Sequence, residues 1–298
     1  MPSPAEGGKY RSDVTRRSAF RCLVSSEDLV SKPQPPFDER VAYGADAHQF
    51  IEVRLPRSAG AHGSQLQPAL INIHGGYWRA RYDLAHAGHL CEALRGAGVA
   101  TFNIEYRRVG NAGGGWPGTF DDIRAAFRFV SQQVARFRVD PGRLVVMGHS
   151  AGAQLALCLA AHEASVRRVI SLAGVLDLKK AYTLHLSNDA VVEFLGGKPE
   201  AVPEHYREAD PMELAIPRAR QWILVGRDDD VVSPELSREY VQFKTSVGRK
   251  EPKENVELLE IPRAGHFELI DPGAEAFKLV ASTVLGALDW SGEVITGT

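Results

Sequence analysis

Short, nearly continuous apolar runs alternate with longer amphipathic segments along most of the chain. Runs of this kind are typical of strands buried on both faces of a parallel sheet; they lie at residues 69–73, 99–104, 144–147, 166–172, 221–225 and 256–261. Apolar positions spaced as on one helix face predict helices at residues 84–94, 234–247 and 274–288, and another through Ile123, Phe127, Val130, Val134 and Phe137. This alternation predicts an α/β fold, with a mostly parallel central sheet and helices on both faces.

Three segments depart from this alternation. Residues 38–44 and 48–55 read as two short strands separated by a turn, which predicts an antiparallel hairpin at the start of the sheet. Residues 177–217 are too long for an ordinary connection and predict a small helical cap or binding insertion. Residues 1–37 predict an N-terminal extension that ends in a polyproline-like linker and covers a pocket or a dimer face. A single folded domain is expected over residues 38–298.

Composition narrows the classes of partner. The chain has 298 residues, 44% of them hydrophobic, and a formal net charge of −2 without a block of Lys and Arg. This balance argues against binding to nucleic acid or to an anionic membrane and favours a small-molecule partner. Three scattered cysteines, without an apolar leader or an 18-residue apolar run, are typical of a reduced, cytoplasmic protein. A homodimer is compatible with the extension.

Ser150 is the strongest candidate for a chemical role. The apolar run at 144–147 leads directly into Gly148-His149-Ser150-Ala151-Gly152, and a helix-forming segment rich in Leu and Ala follows. A G-x-S-x-G sequence between a strand and a helix is typical of a nucleophile elbow, in which a tight turn exposes the serine hydroxyl. Such a serine needs a histidine base that a carboxylate holds in the right tautomer.

Both partners are found at the ends of later strands. In hydrolases built around such an elbow, the acid and then the histidine follow the serine in the chain. His266 lies in the loop after the last predicted strand and is the predicted base. The loop after residues 221–225 carries Asp228, Asp229 and Asp230; the spacing from Gly226 to Val232 favours Asp229, and its two neighbours remain alternatives.

The loop His74-Gly75-Gly76-Tyr77-Trp78 follows an earlier strand. Backbone amides from such a loop, together with the amide of Ala151 after the nucleophile, can stabilise an oxyanion. Trp78, Trp116 in the glycine-rich segment 110–118, and His149 are the predicted substrate-binding residues. The sequence predicts no metal site and no cofactor, since its carboxylates and histidines lack metal-ligand spacing.

Taken together, these motifs resemble the α/β-hydrolase superfamily over about residues 38–290, and His74-Gly75-Gly76-Tyr77-Trp78 looks like the kynurenine formamidase (arylformamidase) and esterase/lipase branch. That resemblance implies an oxyanion hole formed by the amides of Gly76 and Tyr77 beside that of Ala151. It implies a serine hydrolase that cleaves a small carboxylic ester through an acyl-enzyme. The alternatives are an arylformamidase acting on N-formylkynurenine-like formamides and a non-catalytic ligand-binding protein with the same fold.

Overall fold

The computed structural model describes residues 23–57, 66–246 and 254–289. Within these residues an eight-stranded sheet has the order β1-β2-β4-β3-β5-β6-β7-β8. Its strands are β1 (Glu39–Ala42), β2 (Phe50–Arg54), β3 (Gln67–Ile73), β4 (Ala100–Ile104), β5 (Val139–His149), β6 (Arg168–Leu172), β7 (Arg220–Gly226) and β8 (Val256–Ile261). Each predicted strand is confirmed: β5 begins at Val139, about five residues before the predicted start, and the other strand ends lie within about two residues of the predicted ones.

Strand direction separates the hairpin from the rest of the sheet. β1 pairs antiparallel with β2, and β2 pairs antiparallel with β4. All other neighbouring strands are parallel, so their carboxyl ends meet at one edge. The mostly parallel sheet that the sequence predicts is therefore confirmed, and candidate residues after β3, β5, β7 and β8 are brought to the same edge.

Helices cover both faces of the sheet. The helices outside the insertion are α1 (Ser26–Val30), α2 (Gly88–Gly96), α3 (Gly118–Gln132), α4 (Ala151–His162), α8 (Pro234–Thr245) and α9 (Glu275–Asp289). Buried side chains of α3, α4 and α8 belong to one apolar cluster. Those of α1, α2 and α9 belong to a second cluster on the opposite face. None of the helices in the described ranges is long and apolar enough to cross a membrane.

Helix α3 is shorter than its apolar periodicity predicts. It ends at Gln132, and Phe137 lies in the turn that follows. In this turn the Phe137 amide donates to the Gln133 carbonyl at 3.1 Å. The backbone then leaves the helical conformation at Arg138, whose φ is +54°. Phe137 is buried all the same, because a helix-like turn keeps it on the same face as the helix.

Residues 177–217 hold three short helices: α5 (Leu178–Thr183), α6 (Ala190–Leu195) and α7 (Pro203–Ala209). Asp177 begins this segment, and its side chain accepts from the Lys180 amide at 2.7 Å. The segment joins the cluster of α3 and α4 through residues such as Phe194 and Tyr206. We call residues 177–217 the cap. Most of the N-terminal extension, residues 1–22, lies outside the described residues.

Candidate active site

Ser150 sits in a strained turn at the junction of β5 and α4. Its φ and ψ are +56° and −121°, a backbone conformation that residues other than glycine rarely adopt. The Ser150 amide donates to the Leu172 carbonyl at 2.8 Å, which ties the turn to the end of β6. Ser150 is only 2% exposed.

The two glycines around Ser150 are required by close backbone packing. A Cβ on Gly148 would lie 2.1 Å from the Gly152 carbonyl oxygen, and a Cβ on Gly152 would lie 2.2 Å from the Ile73 carbonyl oxygen. Real Cβ atoms do not approach this closely. The elbow therefore places the serine directly against the end of β3, where the oxyanion-loop candidate begins.

His266 and Asp229 form a buried hydrogen-bonded pair. His266 Nδ1 lies 2.8 Å from Asp229 Oδ2. Because a carboxylate can only accept, Nδ1 carries the hydrogen and Nε2 of the neutral ring is left as an acceptor. The other oxygen, Asp229 Oδ1, accepts from the amides of Val231 at 2.9 Å and Val232 at 2.8 Å. The pair thus has a fixed orientation, and the neighbouring Asp228 and Asp230 are exposed.

The backbone of β7 and β8 brings this pair together. Gly226 at the end of β7 pairs with Ile261 at the end of β8. A Cβ on Gly226 would lie 2.3 Å from the Ala264 carbonyl oxygen, so the acid loop and the histidine loop touch. Asp229 and His266 are 37 residues apart in sequence, but the parallel register makes them neighbours.

The loop from His74 to Trp78 turns sharply after β3. Gly76 has a φ of +114° and Tyr77 a φ of +50°. In the part of the chain that the structure describes, the amides of Gly76 and Tyr77 donate to no protein acceptor. The Ala151 amide is in the first turn of α4, where amides have no partner within the helix. These three amides are free to bind a ligand oxygen.

A buried ionic network holds this loop in place. Glu105 Oε1 lies 3.3 Å from His74 Nε2 and 2.5 Å from Arg108 Nη1. Glu105 Oε2 accepts from the Leu84 amide at 3.1 Å, and the Tyr106 hydroxyl donates to the His74 carbonyl at 2.8 Å. Burial alone would raise the pKa of Glu105, but His74 and Arg108 outweigh it and keep that pKa below its usual value.

Ser150 and His266 line the same cavity of about 230 Å³. Gly76 and Tyr77 of the candidate oxyanion loop also line it, as does His149. The remaining lining residues are Ser26, Gly75, Tyr82, His86, Val231 and Phe267. None of these described lining residues is Lys, Arg, Asp or Glu, so the wall carries no permanent charge.

Burial favours the uncharged forms of three titratable side chains of the wall, those of His149, His86 and Tyr77. Burial, followed by the charge of His266, lowers the pKa of His149 well below 6.5. Burial and His74 likewise lower the pKa of His86. Burial and the charge of Asp229 raise the pKa of Tyr77 to about 12. An apolar or neutral polar ligand suits such a wall better than an ionised one.

Two predicted substrate-binding residues lie away from the cavity. Trp78 is 1% exposed, its ring is stacked on Phe194 at 4.5 Å, and its Nε1 donates to Gln154 Oε1 at 2.9 Å. Its φ of +57° turns the side chain into the core between α4 and the cap. Trp116 is stacked on Phe120 at 5.2 Å and also packs against Phe194. Neither indole lines the cavity, because each packs against an aromatic partner beside the cap, and their substrate-binding roles stay predictions. His149 does line the cavity, and its substrate-binding role stays a prediction.

Four lining residues are missing from the residues predicted from the sequence. Tyr82 and His86 lie before and within the 3₁₀ turn Leu84–Ala87, Phe267 follows the predicted base, and Ser26 comes from α1. Phe267 could have been anticipated from its place beside His266. The other three depend on how separate elements pack, which periodicity does not encode. Among the described residues there is no cluster of three or more His, Cys, Asp or Glu side chains that could hold a metal ion.

The strand order, the elbow and the loops that follow β7 and β8 define an α/β-hydrolase fold. Within that class the chain belongs to the BD-FAE family, whose model matches residues 58–243. The match includes Ser150 and Asp229; His266 lies beyond it.

The chain is similar in sequence to parts of two curated proteins. The chain is 25% identical over 219 residues to Esterase LipQ of Mycobacterium tuberculosis, which covers 68% of this chain and 51% of the relative. It is 34% identical over 113 residues to Neutral cholesterol ester hydrolase 1 of Rattus norvegicus, covering 37% of this chain and 27% of the relative. The chain thus spans about half the length of the first relative, and less of the second.

Two solved structures cover most of the chain. A truncated carbohydrate esterase from gut microbiota matches with a TM-score of 0.70 and 21% identity, over 86% of this chain and 97% of that one. The propionate-bound esterase Est2 of Thermogutta terrifontis matches with a TM-score of 0.66 and 23% identity, over 89% of this chain and 98% of that one. These matches establish the α/β-hydrolase fold.

Proposed function

We propose that the protein is a serine hydrolase that cleaves small, uncharged carboxylic esters through an acyl-enzyme. The observation that carries this proposal is the buried His266–Asp229 pair, 2.8 Å apart, on the cavity that Ser150 also lines. The names of the relatives support it, since LipQ and the cholesterol ester hydrolase are both esterases by name.

In the proposed reaction, Ser150 Oγ attacks the ester carbonyl carbon while His266 Nε2 takes the hydroxyl proton. Asp229 keeps the imidazole oriented and stabilises the cation that forms. The amides of Gly76, Tyr77 and Ala151 hold the negative oxygen of the tetrahedral intermediate. His266 then gives its proton to the leaving alcohol oxygen as that bond breaks. Water repeats the sequence on the acyl-enzyme, which releases the acid and restores Ser150.

The cavity favours an ester over the formamide alternative. N-formylkynurenine carries an ionised amino acid group, and the described wall of about 230 Å³ offers no side chain of permanent charge to pair with it. Leaving such a group buried without a partner is costly. A short acyl group also agrees with the propionate named in the Est2 structure.

The test of the reaction class is labelling with a fluorophosphonate and hydrolysis of p-nitrophenyl esters. Ser150→Ala should abolish labelling and lower kcat by about 10⁶, as loss of the nucleophile does in comparable enzymes. Ser171→Ala is a matched control, because Ser171 is also a fully buried serine at a strand end, on the adjacent β6. It should still be labelled.

Retained turnover in Ser150→Ala would contradict the proposal. Absence of labelling in the wild-type protein would instead favour the non-catalytic, ligand-binding alternative. N-formylkynurenine run beside the p-nitrophenyl esters separates the two hydrolases: a higher kcat/KM for the formamide would contradict the ester proposal and favour the arylformamidase.

A further inference from the structure

A short N-terminal segment, residues 23–32, is fastened to the loop that carries His266. The Val24 amide donates to Glu268 Oε1 at 3.0 Å, and the Gly265 amide donates to Glu268 Oε2 at 3.1 Å. Glu268 is completely buried. One carboxylate therefore joins the N-terminal segment to the residue immediately before the proposed base.

Two further contacts fix the position of this segment, and a capping box orders its helix internally. Leu29 is 0% exposed and packs in the same apolar cluster as α2 and α9. The Ser25 hydroxyl accepts from the Asp28 amide, and the Asp28 side chain accepts from the Ser25 amide at 2.8 Å, which caps the start of α1. Lys32 Nζ lies 3.1 Å from Asp271 Oδ1. The segment is anchored at both ends and in the middle.

This anchoring places Ser26 on the wall of the active-site cavity. Ser26 lines it together with Phe267, His86 and Tyr82. The cap of α1 is made by Ser25, and the buried contact is made by Leu29, so neither of these structural tasks falls to Ser26. What Ser26 contributes is a small side chain where a larger one would take up space in a cavity of only about 230 Å³.

We propose that Ser26 is a specificity-determining residue, whose small side chain sets the upper size of the ester that the site accepts. The inference rests on the proposed ester hydrolysis and goes beyond it, since it assigns selection of substrate size to a segment outside the sheet and the cap. Glu268 is the positioning residue in this proposal, because its carboxylate holds the segment that carries Ser26 against the histidine loop.

The experiment compares kcat/KM across two series of substrates. One series is p-nitrophenyl acetate, butyrate, hexanoate and octanoate, which lengthens the acyl group; the other is phenyl, p-nitrophenyl and 1-naphthyl acetate, which enlarges the leaving group. The variants are Ser26→Trp and Ser26→Gly. Ser31→Trp is the matched control, because Ser31 is exposed at the end of the same helix and places the same indole on the same segment.

In each series the readout is the kcat/KM of the largest ester divided by that of the smallest. Ser26→Trp should lower this ratio by at least about tenfold in one of the series, because one methylene in a hydrophobic pocket changes kcat/KM by about that factor. Ser26→Gly should move the same ratio in the opposite direction, and this second arm decides the question if the tryptophan variant does not fold. Ser31→Trp should leave the ratios at their wild-type values.

Ratios that do not change in either Ser26 variant, while the wild-type protein hydrolyses the esters, would overturn the inference and leave the proposed function standing. An equal change in Ser31→Trp would also overturn it, because the effect would then come from the segment's stability. A wild-type protein that hydrolyses none of the esters would overturn the proposed function and this inference with it.

Discussion

At the scale of single residues, the two oxygens of Asp229 have separate tasks. Oδ2 is bound to His266 Nδ1, and Oδ1 is bound by the amides of Val231 and Val232. An amide side chain could not serve both, because its NH₂ group would face either a ring N–H or a backbone N–H. Asp229→Asn should therefore favour the wrong histidine tautomer and lower kcat by about 10⁴.

The same substitution at a neighbouring position provides the control. Asp230 is exposed, whereas Asp229 is 7% exposed, and both lie in the same loop. Asp230→Asn should keep kcat within about threefold of the wild-type value in a p-nitrophenyl butyrate assay, since surface substitutions have small effects. Similar losses in the two variants would mean that the orienting acid had been wrongly assigned.

The candidate triad could be located from the sequence because each member follows an apolar run. Ser150 lies between glycines after one run, His266 follows the last run, and the spacing to Val232 separates Asp229 from its acidic neighbours. The direction in which a side chain points cannot be predicted from such a pattern. Trp78 stands beside the oxyanion-loop candidates, but its left-handed backbone sends the indole into the core. Ser26 lies more than a hundred residues from its cavity neighbours His149 and His266, so only packing brings them together.

At the scale of whole elements, apolar runs predicted the strands well because a strand buried on both faces has few alternatives. The cap was recognised only as a break in the pattern. Its helices have six or seven residues each, too few turns to show a periodicity. Its position is set instead by contacts with the loop after β3, where Trp78 stacks on Phe194.

A second contact between that loop and the cap is an ion pair centred on Arg79. Arg79 Nε and Nη2 donate to the two carboxylate oxygens of Glu193 at 2.7 and 3.0 Å, and Arg79 Nη1 donates to Ser187 Oγ at 3.1 Å. Ser187, Asn188 and Asp189 all have positive φ values, between +49° and +57°. A planar guanidinium can hold such a strained turn in a way that an ammonium group cannot.

Arg79→Lys should therefore loosen the start of α6. Because Glu193 is half exposed, the ion pair is screened and is worth at most about 1 kcal/mol, which corresponds to an increase of up to about fivefold in the hydrogen-exchange rates of residues 185–195. Arg128→Lys is the control, since Arg128 pairs with Glu163 between α3 and α4, away from the cap. Unchanged exchange in the Arg79 variant, measured by mass spectrometry, would show that the aromatic stack alone holds the cap.

At the scale of the whole molecule, stability should depend on pH through a buried carboxylate beneath the cap. Asp210 is 1% exposed and accepts from the amides of Leu178, at 3.1 Å, and Met212, also at 3.1 Å. Burial, followed by the negative charge of Asp177, outweighs these bonds and raises the pKa of Asp210 to about 7. Lys179, Tyr206 and Cys158 are further titratable groups that interact with it.

The sign of the effect follows from proton binding. Between about pH 4 and pH 7 the folded protein keeps the Asp210 proton that the unfolded chain releases, so the free energy of unfolding falls as the pH rises through this window. His149 and His86 act in the opposite direction: their pKa values are lowered in the folded state, so stability is lost as the pH falls below 6.5. A melting curve of the wild-type protein alone would report the sum of the two effects.

Asp210→Asn separates them, because both histidines are present in the variant as well. The Tm of Asp210→Asn relative to wild type should rise steadily from pH 4 to pH 7 and become constant above pH 7, even if the substitution lowers the Tm by a fixed amount through its altered hydrogen bonds. Asp121→Asn, on the exposed side of α3, controls for the loss of one surface charge. Parallel Tm profiles for wild type and Asp210→Asn across this range would show that Asp210 has the same proton affinity in the folded and unfolded protein, and that the cap packs over an ionised carboxylate at no cost.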